Sequence, residues 1–141
     1  MRNSVVRLLA CVPVVSLSLA FAAGCNSKVA ECNKLIEVLN AQATKLDPKG
    51  SDPSAFTNLA TQAEGAAKTV SEVDVKTPEI VQFRDAMKKN LMDLGSAARD
   101  AGAAMQSQDI AKITGVTTKL GDISKQNAKL VTDVNNFCQG K

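Results

Sequence analysis

The side chains of this chain that can do covalent chemistry are four thiols, Cys11, Cys25, Cys32 and Cys138. Histidine is absent, so no imidazole serves as a general base or as a ligand to zinc or haem. The cysteines form no C-x-x-C pair, and neither Cys32 nor Cys138 sits in a tight charge cluster that would lower a thiol pKa. Aspartates and glutamates are spread singly, with no pair at helical spacing facing a second pair. This argues against a di-metal carboxylate site and a glycosidase-like dyad. No serine lies in a nucleophile motif and no glycine loop resembles a phosphate cradle. Trp and Tyr are absent, four Phe carry all the aromatic content, and the net charge is +3. That is too few stacking platforms and too little charge for a nucleic-acid partner. The expectation is a protein without catalytic activity, metal or cofactor.

Cys25 stands at the end of an apolar run. Residues 1–7 carry Arg2 and Arg7 and no acid, and residues 8–22 are almost wholly apolar. A run of about 15 residues is short for a membrane span and suits a signal-peptide core, and Pro13 inside it argues the same way. Ala22-Ala23-Gly24-Cys25 closes the run and resembles the lipobox of bacterial lipoprotein precursors. The family prefers Leu at the first of these positions, where this chain has Ala22. The resemblance implies that the Cys25 thiol receives a diacylglyceryl group and that residues 1–24 are removed as a lipoprotein signal peptide. It also implies usual acylation of the new terminal amine. Ordinary cleavage after Ala20-Phe21-Ala22 and retention as an uncleaved anchor are the alternatives. The implied location is the bacterial cell envelope, facing the periplasm or the exterior. If sorting follows the enteric rule, Asn26 after the lipidated cysteine favours the outer membrane. The membrane is then a partner through the lipid, with 25–28 as a short tether to a body starting near Val29. Loss of Arg2 and Arg7 leaves that body close to neutral.

With Cys11 removed and Cys25 acylated, Cys32 and Cys138 remain. An even remainder in an exported protein reads as a structural disulfide, the rival being a redox pair. Closing a loop on the order of 100 residues stabilises by about 4–5 kcal/mol in the chain-entropy treatment.

Four amphipathic segments must position these thiols. The first, 29–46, has a stripe of Val29, Cys32, Ile36, Leu39, Ala43 and Leu46, and ends at Asp47-Pro48-Lys49-Gly50. The second starts with Asp52 as cap and Pro53 at the first helical position, and carries Phe56, Leu59, Ala63, Ala66, Val70 and Val73. Glu64 with Lys68 suits an i,i+4 pair, as does Asp85 with Lys89 in the third segment. Residues 71–76 form a connector. The third segment starts at a Thr77 cap and Pro78 and runs to Met105. The fourth follows a Ser107 or Asp109 cap and reaches Cys138, with Asn127 among its apolar positions and 139–141 as a frayed end.

Four helices with short connections give an all-α, antiparallel up-down four-helix bundle with a longer hairpin of the third and fourth helices. That topology brings the start of the first helix and the end of the fourth together, as a Cys32–Cys138 bridge requires. The distal tip, 95–116, is rich in Ala and Gly. It reads either as a thin, tightly packed coil or as a partner-binding tip using Met105, Ile110 and Ile113. The expected role is structural or protein-binding, with an unidentified protein partner. The alternative is a periplasmic carrier or chaperone-like module that holds an apolar ligand. An apolar cavity of about 300 Å³ or more would favour the carrier, and a contiguous exposed apolar patch would favour the interaction protein.

Overall fold

A computed structural model describes residues 23–47 and 49–140, with side chains from Ser27 onward. Residues 1–22, which include Cys11 and most of the segment 1–24 expected to be a signal peptide, lie outside the described residues, as do Pro48 and Lys141. The described chain is all-α: α1 (Ala23–Ala43), α2 (Pro53–Ser71), α3 (Pro78–Gln106) and α4 (Ile110–Gln139). Successive helices run antiparallel, and α3 and α4 form the longer hairpin.

The helix starts follow local chemistry. Asp52 accepts from the Ala55 amide at 2.8 Å and Pro53 follows it, so α2 begins where the cap and the imino acid dictate. Asp109 accepts from the Lys112 amide at 3.0 Å and caps α4, leaving Ser107 as the C-cap of α3. α1 departs from expectation at both ends. It is already helical at Ala23, so residues 25–28 continue the helix and form no extended tether. It stops at Ala43, where the Lys45 and Leu46 amides tighten onto Gln42 and Ala43 ahead of Pro48. α4 also continues past Cys138: Gln139 is helical, and Gly140 ends the helix at φ 71° with its amide on the Phe137 carbonyl.

α3 is the central helix. α2 packs along one side of it and α4 along another, and α2 and α4 do not meet. The α2–α3 seam is made of small residues. Ala60, Ala63 and Ala67 on α2 and Ala98 on α3 are buried. A Cβ added at Gly95 would stand 3.3 Å from the Ala60 carbonyl oxygen. At Gly102 it would stand 3.1 Å from that of Pro53. The absence of a side chain there lets two backbones approach. Pro53 at the level of Gly102 means that α2 reaches nearly to the tip, so the tip is flanked by α2 and is not a bare two-helix hairpin.

The main core lies at the opposite end. Cys32 and Leu35 of α1, Val70 of α2, Ile80 and Met87 of α3 and Val134 of α4 meet there. Val73 and Val75 of the connector fill the space beside them, because alternation in an extended segment sends both to one side. The buried face of α1 runs through Cys32, Leu35 and Gln42, while Val29 and Ala43 of the expected stripe are exposed. Asn127 is likewise exposed, and the buried amide of the α3–α4 seam is Asn90, whose Nδ2 donates to the Ile123 carbonyl at 3.3 Å.

Candidate functional site

Cys32 and Cys138 are joined by a disulfide with Cα atoms 5.8 Å apart, closing a sequence separation of 106 residues. The bridge ties the first helix to the last. Around it, Phe137 meets Phe83 edge to face with centroids 5.6 Å apart, and Lys28 Nζ lies 3.9 Å from the centre of the Phe137 ring. Cys25 precedes Cys32 by seven residues, about two turns of the same helix.

The stapled end also holds a contact that sequence reasoning missed. Glu31 of α1 accepts hydrogen bonds through Oε2 from the amides of Lys76 at 3.0 Å and Thr77 at 2.8 Å. Thr77 occupies the N-cap position of α3 but makes no side-chain cap bond. The donors just before α3 are therefore satisfied by a carboxylate forty-five residues earlier in the chain. Those bonds, Thr77 first, hold the Glu31 carboxyl below its ordinary value. Lys34 of the same helix donates to the Asp74 carbonyl at 3.1 Å. Nothing local marks Glu31, since its partners depend on how α1 docks.

The other shifted groups are structural too. Glu64 pairs with Arg99 across α2 and α3 through two bonds, Nη1 to Oε1 and Nη2 to Oε2, the latter 2.7 Å. This replaces the expected Glu64–Lys68 pair, and it lowers the Glu64 pKa and raises that of Arg99. Lys89 pairs with Asp93 at 2.6 Å, while Asp85 pairs with Arg84 at 2.9 Å, so the expected Asp85–Lys89 pair is absent as well. Asp52 is lowered by the Ser54 hydroxyl and the Ala55 amide, and Asp109 by the Lys112 amide. Among the described residues no group of three or more His, Cys, Asp or Glu could hold a metal.

At the tip, Ile110 is 74% exposed, while Met105 and Ile113 are half-buried. The three therefore offer one protruding side chain on a partly covered base. An open cavity of about 650 Å³ lies beside them between α3 and α4, bordered by Asp100, Ala104, Ser107, Lys112 and Val116. Its charged groups are engaged, Asp100 with Lys119 and Lys112 with Asp109.

A second concavity runs between α1, α3 and α4, where α1 leans on the other helices along a sparse contact. It consists of two adjoining spaces of about 240 and 130 Å³ that share Leu39, Asn40, Met87 and Val131. Ile36 and Val134 line its stapled end, and Leu46 and Leu91 its distal end. No residue along it is ionisable: the polar groups are the amides of Asn40, Gln42, Asn127 and Asn135.

Among the described residues no helix is long and apolar enough to cross a membrane. No protein-family model, curated protein or solved structure matches the chain.

Proposed function

We propose that this chain is a non-catalytic lipoprotein of the bacterial envelope, anchored by acylated Cys25, with a structural or protein-interaction role at the membrane face. The reading starts from the Ala22-Ala23-Gly24-Cys25 motif. The observation that carries it is the Cys32–Cys138 disulfide two helical turns beyond Cys25, because such a staple belongs to an oxidising compartment. It would also join a lipidated helix to the far end of the chain, so that the stapled end faces the bilayer. Two or three acyl chains on one residue would make release negligible. Each carboxylate with a shifted pKa is engaged in a cap or an interhelical pair, which suits a scaffold more than a catalytic centre. The partner surface proposed is the distal tip, with Ile110 as its protruding residue. Cells fed a clickable palmitate analogue should label the wild-type chain and leave Cys25→Ser unlabelled. Equal labelling of both would refute acylation at Cys25, and an unlabelled wild type would refute the lipoprotein reading.

A carrier role is the second reading. It is favoured by the uncharged concavity along α1, which is apolar in its walls and amide in its rim.

A further inference from the structure

Among the described residues, α1 alone projects beyond the stapled end. α4 stops at Gly140, just past Cys138, and the connector into α3 meets α1 at Glu31, whose carboxylate holds the Lys76 and Thr77 amides. Cys25 lies about 10 Å farther along α1 than Cys32, at about 1.5 Å per residue. Residues 25–30 are therefore a helical post beyond the body.

The post is braced at its root. Lys28 Nζ lies 3.9 Å from the centre of the Phe137 ring on α4, Glu31 serves the start of α3, and Cys32 is bonded to Cys138. These contacts, to α4 and to the start of α3, fix the direction of α1 against the body.

Its length and chemistry match one kind of surroundings. The headgroup layer of a bilayer is about 5–8 Å deep on each side, and residues 25–30 rise about 9 Å. They contain no acid, and Val29 among them is an apolar side chain left 50% exposed. The first carboxylate along α1 is Glu31, already engaged by two amides. Asp74 and Glu79, exposed acids on either side of Thr77, stand near the height of Glu31 and so at the outer edge of a layer of that depth.

We propose that residues 25–30 form a rigid post standing in the phospholipid headgroup layer, with Val29 against lipid and the bundle held upright on it. The proposal deepens the lipoprotein reading and rests on it. The partner at the post is a lipid surface, and the distal tip is carried at a fixed height. α3 rises about 43 Å over its 29 residues, so Ile110 stands on the order of 50 Å from Cys25. A partner of the tip is thus met well clear of the headgroups.

The chain has no Trp or Tyr, so one introduced Trp is an unobstructed reporter. Val29, Ala41 and Ile110 are all exposed. Full-length acylated Val29→Trp, Ala41→Trp and Ile110→Trp proteins are reconstituted into phosphatidylcholine vesicles that carry a nitroxide on the choline headgroup. Flotation with the vesicles is scored beside the emission. Val29→Trp should lose about half of its emission, because it lies about 6 Å along the helix from Cys25, within the headgroup layer. Ala41→Trp, about 24 Å from Cys25, and Ile110→Trp should lose little. About ten Gly and Ser residues inserted between Asn26 and Ser27 make a flexible spacer of about 16–19 Å, which should restore most of the Val29→Trp emission while flotation is kept. Quenching of Ala41→Trp or Ile110→Trp as deep as that of Val29→Trp would mean a body lying on its side and would overturn the proposal. So would floated Val29→Trp protein that is not quenched. Quenching that survives the insertion would overturn it too, by tracing the effect to the affinity of Trp itself for the interface. Protein that does not float would overturn the anchor, and the post with it.

Discussion

Glu31 and Asn90 show what single polar residues do in this protein. Glu31 is a carboxylate on one helix serving the backbone before another, so its contribution depends on its being ionised. Its pKa is lowered in the folded state, so that contribution is present above the ordinary glutamate value and is lost as pH falls through the lowered one. Glu31→Gln should therefore lower Tm at neutral pH and make the acid limb of the stability profile shallower below about pH 4. Thermal unfolding at several pH values measures both effects, and identical acid limbs would remove Glu31 from the account. Asn90 is 2% exposed and bonds to the Ile123 carbonyl, which also belongs to the α4 ladder. Asn90→Ala removes the bond and leaves a small cavity, and should destabilise by about 1–2 kcal/mol in urea unfolding. Neither residue was legible beforehand. Asn127 has the seam spacing of a buried register amide, yet it is exposed and borders the open concavity between α1, α3 and α4.

The helices are held by two different kinds of seam, and glycines report the difference. Gly102 lies against the Pro53 carbonyl and Gly95 against that of Ala60, whereas a Cβ at Gly65 would meet nothing within 4 Å. Gly65→Ala should thus stabilise by about 0.5–1 kcal/mol, as removal of a helix-interior glycine ordinarily does. Gly102→Ala should destabilise instead, because the neighbouring atom is backbone and cannot turn aside. The comparison of denaturation midpoints is internal to one protein and the opposite signs make it decisive. α1 is the contrasting element, with sparse contacts to α2, α3 and α4. Its attachment rests on Leu35, Cys32, the Glu31 cap and the staple. Hydrogen exchange should show residues 36–43 opening before α3, with the α4 residues that border the concavity following α1.

At the scale of the whole molecule, the disulfide is a covalent constraint across 106 residues and sits at the same end as the main core. A loop of 106 residues closed by it corresponds to about 4–5 kcal/mol in the chain-entropy treatment. Cys32→Ser with Cys138→Ser should lose most of that in equilibrium unfolding, and α1 protection should fall more than that of the α2–α3 pair. A loss spread evenly over all four helices would mean that α1 is held by packing alone. The two ends of the molecule therefore have different physics. One is stapled and aliphatic, and the other is alanine- and glycine-packed, with Ile110 protruding.

Much of this architecture was readable residue by residue. Asp52-Pro53, Thr77-Pro78 and Asp109 mark helix starts because capping and the proline ring act within one turn. Apolar periodicity gives four helices for the same local reason. The joining of Cys32 to Cys138 follows from antiparallel topology once the helices are counted. Tertiary structure decided the rest. Which carboxylate serves which amide, which of two candidate partners Glu64 takes, which face of α1 is buried and where a concavity is left all depend on the angle and offset at which helices dock. Those are set by side-chain volumes summed over several elements at once, Ala against Gly on one side of α3 and aliphatics against a short α1 on the other. A helix carries its own period in its sequence, but its depth against its neighbours belongs to the whole assembly.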